Sequence, residues 1–169
     1  LNSFGTEQQQ ERIAARTAQV RGWLTKAQPK DNEDRVFRLL ALQAAGAADD
    51  VLGAAAKELL ARQREDGGWA QLDSGEPAAA TQSDAYATGS ALVALHDAGG
   101  VTTGDSVYQK GLAYLLKTQR EDGSWHVTSR SKPFQPYYES GFPHGKDQFI
   151  SCAASAWATW AMVLAAGDG

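Results

Sequence analysis

Acid–base chemistry needs carboxylates, imidazoles or phenols that converge, and two places in this 169-residue chain gather them. Asp84 and Tyr86 open one apolar segment, and Asp147 and Gln148 open another, with Glu139, His144 and Lys146 just ahead. Both segments read as helices. A helix start carries unpaired N–H groups and partial positive charge, so carboxylates there are stabilised. The chemistry on offer is general acid–base work, with Asp84, Glu139, His144 and Asp147 as candidates, or recognition of a polar ligand. The same residues have a plainer use. Asp84 and Asp147 are good helix caps, and His144, between Pro143 and Gly145, also reads as an ordinary loop residue. A second set is aromatic. Tyr86, Tyr137, Tyr138, Phe149, Trp157 and Trp160 either line an apolar or cation-stabilising pocket or pack between helices. Metal chemistry has no support: Asp147 and Cys152 are badly spaced to share an ion, no Cys/His cluster exists, and Cys152 reads as a small buried hydrophobe. Phosphate-loop, haem-attachment and Gly-x-Ser-x-Gly patterns are absent, and no cofactor is expected.

Helices must position these residues. Residues 6–28 form a first stripe through Ile13, Val20, Trp23, Leu24 and Ala27, capped by Thr6 and stopped by Pro29. Asn32 caps a second helix to about Ala45, with Val36, Phe37, Leu39, Leu40 and Leu42 as its face and Gly46 as terminator. Asp49 or Asp50 caps a third to Gln63, and Ser83 caps a fourth to about Ala98. Asp105 or Thr103 starts a fifth to Gln119, and Asp147 caps a sixth to about Ala166. The sixth is apolar nearly all round, which predicts burial on every side or an apolar cavity. A loop at 65–82 and a longer one at 120–146, rich in Pro and aromatics, join them; a short ribbon near 125–129 is the one expected extended stretch.

A repeat organises the helices. Gln63-Arg64-Glu65-Asp66-Gly67-Gly68-Trp69 returns as Gln119-Arg120-Glu121-Asp122-Gly123-Ser124-Trp125. Each copy ends a helix, turns on a glycine, and presents a Trp whose N–H needs a partner if buried. Gln and Trp are therefore expected to staple successive units together. Lys110-Gly111-Leu112-Ala113-Tyr114-Leu115 leading into Gln119, Gly123 and Trp125 resembles a complete QW motif. That motif marks the superfamily of squalene–hopene cyclases, oxidosqualene cyclases and protein prenyltransferases. The copy at Trp69 matches from Leu59 onward, and Trp23 to Gln28 resembles an eroded third copy. The resemblance implies an all-α fold, an α/α toroid-like partial array of about three helix pairs with a long loop before the last helix. The Gln-ending helices would be outer, and the second, fourth and sixth inner. It also implies one domain over 1–169 that is a segment of something larger, the chain starting at Leu1 rather than Met. Open repeat faces would then meet other domains of the parent chain or a homodimer.

The Asp-x-Asp-Asp acid of the hopene cyclases and the zinc ligands of the prenyltransferases are missing here. An intact scaffold without that acid points to a non-catalytic or accessory domain, binding an apolar or isoprenoid molecule, or a protein segment, in its concave face. The alternatives are an isoprenoid (triterpene) cyclase or a fragment of one, and another α/α-toroid enzyme acting on polysaccharide through Tyr137, Glu139 and His144. A net charge of −4 excludes a nucleic-acid footprint. No apolar run is read as approaching the ~20 residues of a membrane span, so a soluble, non-integral protein is expected, cytoplasmic or periplasmic.

Overall fold

The computed structural model describes residues 5–74, 81–130 and 138–167. The fold is all-α. Helices α1 (Gln10–Lys26), α2 (Asn32–Ala44), α3 (Asp49–Leu60), α4 (Ala85–Gly99), α5 (Ser106–Thr118) and α6 (Gln148–Gly167) follow in order. Helix α4 is the axis of packing. It lies against α6 most extensively, then α2, α3 and α5, while α1 packs chiefly on α2. The row α2–α4–α6 therefore alternates with α1, α3 and α5, as the Gln-ending pattern predicts. Apolar spacing explains who faces whom: Val36, Leu39 and Leu42 of α2, Ala55, Ala56 and Leu59 of α3, and Tyr108 and Leu115 of α5 are buried. Each fully buried Leu contributes about 1.5–3 kcal/mol relative to exposure. Small residues set the tightest approach. A Cβ at Gly89 would lie 2.7 Å from Ala158 N, and one at Gly111 would lie 2.7 Å from the Leu92 side chain.

Several helix starts differ from expectation by one residue. Asp31, not Asn32, caps α2 by accepting the Asp34 N–H at 2.9 Å. Asp84, not Ser83, caps α4 through the Ala87 N–H. Ala48 precedes α3, leaving Asp49 and Asp50 in its first turn, where the dipole favours them. Ser83 is drawn into a two-residue antiparallel ribbon, β1 (Trp69–Ala70) with β2 (Ser83–Asp84), pairing Trp69 with Asp84. Residues 125–129 form no strand; Trp125 and Val127 donate their N–H groups to Ser155 and Ser151 of α6 instead.

The repeat forms one joint twice. Trp69 Nε1 donates to Leu59 O and Trp125 Nε1 donates to Leu115 O, each at 2.9 Å. Both indoles are buried. Each indole N–H thus turns back to its own helix end rather than crossing to the next unit. The crossing is made by Gln63, whose Nε2 donates to Gly67 O and to Val107 O of α5. Backbone amides cross too: Trp69 N–H to Thr88 Oγ of α4, and Trp125 N–H to Ser155 Oγ of α6. Gly67, at φ +88°, is required twice over, since a Cβ there would also sit 2.4 Å from Lys110 O.

Helix α6 departs most from expectation. Its Ser151, Ala154, Ala158 and Ala161 face is buried against the domain, but Phe149, Trp160 and Val163 are about half exposed or more. Cys152 lies on that open side and is exposed, not buried. The stretch 145–167 also contains an 18-residue window of mean hydropathy 1.6, and by length and composition it could cross a membrane, contrary to the reading that no run is long enough. Ala, Ser and Gly hide that length in the sequence, and Gln148, Ser151 and Ser155 take hydrogen bonds from the loops before the helix.

Candidate functional site

The N-terminal ends of α2, α4 and α6 share one rim. Arg130 ties it together, reaching Asp31 at 3.3 Å and Glu33 at 3.4 Å. Asp84 sits deep in the rim. Its Oδ1 accepts the Ala87 N–H and its Oδ2 accepts Gln71 Nε2 at 2.8 Å. Burial pushes its pKa above the ordinary Asp value, against the lowering effect of those hydrogen bonds and of Arg130. Tyr86, on the first turn of α4, is half-buried, and its hydroxyl is pushed up to about 12 by burial and then by Glu33. Tyr114 OH donates to Ser83 O, fixing the ribbon from below.

A second group lies at the start of α6, and the expected single cluster divides here. Asp147 is buried at the end of a 3-10 turn (Gly145–Asp147) and does not act as a simple cap. Its Oδ1 accepts the Ser129 N–H and its Oδ2 meets His126 Nε2, both at 2.9 Å. Burial alone would raise its pKa; these two bonds and the nearby His126 charge outweigh that and hold it low. His126 stacks on His144, ring centres 4.8 Å apart. His144 Nε2 is 2.8 Å from Ser124 Oγ, which donates to Asp122 Oδ1 at 2.6 Å. Since the hydroxyl proton goes to Asp122, the imidazole N–H is the donor to Ser124. Ser124 is therefore not poised as a nucleophile with His144 as its base. His144 has φ +84°, the one non-glycine residue with positive φ among those described. The group works as a clasp between the segment after α5 and the start of α6.

The remaining candidates scatter. Glu139 is exposed, with Oε1 accepting the Gly141 N–H. Lys146 and Tyr138 are exposed, and Gln148 is buried, accepting from the Ser140 N–H and hydroxyl. Tyr137 lies outside the described residues. The sequence reading missed Gln71, His126, Ser129 and Arg130. Only Asp122 carried a signal, as the motif counterpart of Asp66, which likewise accepts the N–H two residues on.

The aromatic candidates do converge. Trp157 and Trp160 stack with centres 5.5 Å apart and planes at 4°, and Phe37 of α2 meets Trp157 edge-on at 6.3 Å. Phe37 and Trp160 are about half exposed. Phe37 also lines a groove of about 760 Å3 with Trp23, Ala27, Pro29 and Ala41. Among the described residues, no group of three or more His, Cys, Asp or Glu side chains is placed to hold a metal ion.

No curated protein sequence matches the chain. The family described as Squalene-hopene cyclase C-terminal domain matches residues 34–167, from the first turn of α2 to the last residue of α6. With both QW joints and the packed helix row inside that span, the chain belongs to the squalene-hopene cyclase C-terminal domain family.

Proposed function

We propose that this domain is a non-catalytic member of its family that binds an extended apolar molecule, of isoprenoid character, along its aromatic surface. The observation that carries the reading is the run of rings from Phe37 through Trp157 to Trp160, exposed at both ends and half-buried at Trp157, with Phe37 also lining the groove that Trp23 lines. Flat, partly exposed rings offer a large apolar area at low conformational cost. The candidate acid supports the same reading. Protonating an alkene needs a carboxyl stronger than usual, but burial moves Asp84 the other way and both of its oxygens are engaged. Glu139 and His144 are held by local hydrogen bonds, which leaves the polysaccharide alternative without a converged acid–base pair.

Titration with farnesol, followed by tryptophan fluorescence and by mass spectrometry of the ligand, tests this. Saturable quenching with no conversion is expected, weakened about tenfold by Trp157→Ala, which removes a stacked ring. Asp84→Asn should bind as well as the parent. Conversion of farnesol or squalene that Asp84→Asn abolishes would instead establish the cyclase alternative. Absence of quenching, or quenching unchanged by Trp157→Ala, would remove the binding site from this surface.

A further inference from the structure

We infer that an internal water molecule is bound between Asn32 and Arg35, where the start of α2 meets residues 71–73. The two residues lie one turn apart on a single face of α2. They are only 3% and 5% exposed, so neither side chain can be solvated from outside. Both meet the segment after β1: Asn32 N–H donates to Gln71 O, and Arg35 Nη2 donates to Asp73 Oδ2 at 2.8 Å. Each nevertheless keeps a buried polar atom that no group among the described residues satisfies, the Asn32 Oδ1 acceptor and the Arg35 Nη1 donor. Arg35 Nε also lacks a hydrogen bond, but it faces the charge of Glu58 Oε1 at 3.6 Å. Buried polar atoms in folded proteins are nearly always paired, either within the protein or with ordered water.

The Asn32 amide is oriented by its other atom. Its Nδ2 donates to Ala87 O of α4 at 3.3 Å, and a flipped amide would set two oxygens against each other there. The face therefore offers one acceptor and one donor, a turn apart, and that pairing selects the occupant. A cation suits Asn32 Oδ1 but not a guanidinium, and an anion suits the guanidinium but not Oδ1. Water donates to the first and accepts from the second. Three arginines, Arg35, Arg38 and Arg62, share the carboxylates of Glu58 and Asp73, which makes an anion the rival occupant. Gln71, which accepts from Asn32 N–H, also holds Asp84 through its Nε2. The bound water thus braces α2 against the segment that positions the rim carboxylate.

A high-resolution crystal structure of the parent chain, with a second crystal soaked in bromide, tests the inference. Density for one atom within hydrogen-bond distance of both Asn32 Oδ1 and Arg35 Nη1, without an anomalous bromide signal, is expected. A bromide peak at that position would assign the place to an anion and overturn the inference. So would the absence of any density there. In solution, magnetic relaxation dispersion of the solvent counts the water molecules that the protein holds for long times. Asn32→Leu, checked for folding by circular dichroism, should hold one fewer than the parent, and Gln119→Ala the same number. An unchanged count in folded Asn32→Leu overturns the inference; if that variant does not fold, the crystal of the parent decides. Asn32 and Arg35 lie outside the aromatic surface, so farnesol quenching reads the ligand proposal separately.

Discussion

Two carboxylates that each directly precede a helix are driven in opposite directions, and their surroundings say why. Asp147 is buried but receives a backbone N–H and an imidazole, so its ionised form is favoured in the folded state. A carboxyl with a lowered folded pKa contributes stability above its unfolded value and loses it as pH falls through the folded value. Asp147→Asn should therefore destabilise the protein by about 1–2 kcal/mol near neutrality, and by progressively less as pH falls into the acid range, measured as urea midpoints. Asp84 is half-buried, but desolvation outweighs its hydrogen bonds and its pKa is raised. Its ionised form is disfavoured by folding, so its contribution worsens as pH rises from the ordinary Asp value through the raised one. Asn keeps the cap to Ala87 N–H and removes the buried charge. Asp84→Asn should leave stability within about 0.5 kcal/mol or raise it near neutrality. A loss near 2 kcal/mol would mean that the charge, and not its geometry, is what the rim requires.

Between elements, the joints decide stability, and the two glutamines separate what a joint contributes. Gln63→Ala removes two partly buried bonds, one of which links α3 to α5, and should cost about 1–3 kcal/mol. Gln119→Ala removes one exposed bond and should cost no more than about 0.5 kcal/mol. Equal costs would show that the local turn, not the crossing, matters. Gly89→Ala brings a methyl to 2.7 Å from α6 backbone, which a side-chain rotation cannot relieve, so about 1–3 kcal/mol is expected. The element order and the repeat joints were legible because each is written locally: Gly67 ends a turn, and Leu59 and Trp69 recur as Leu115 and Trp125. The indole's partner was not legible, since nothing in the spacing says whether its N–H turns back to Leu59 or forward to the next unit. The apolar wrap of α6 misled for a related reason. A period of apolar residues shows which faces avoid water in the final assembly, and Cys152, Ala156 and Val163 are on a face the single chain leaves open.

Across the whole molecule, the sequence located helix-start candidates well and their partners poorly. Asp84 and Asp147 are found from local chain order, whereas Gln71 and His126 reach them, and Arg130 reaches Asp31 beside them, from segments with no periodic pattern. What those segments do collectively is tie α2, α4 and α6 at one end, so the molecule should open from its edges. Helix α4 is buried on nearly every side, with eleven buried residues from Ala85 to Ala98. Helix α1 buries one residue and is held to α2 largely by Arg21 to Ala45 O and by Arg38 to Leu24 O. Local opening follows apolar contact, so native-state hydrogen exchange should rank α4 slowest and α1 fastest. The α4 amides should exchange only with global unfolding and respond fully to urea, while α1 amides should exchange orders of magnitude faster with little urea dependence. Protection of α1 equal to that of α4 would mean that the first helix pair is packed by something beyond the contacts of one chain.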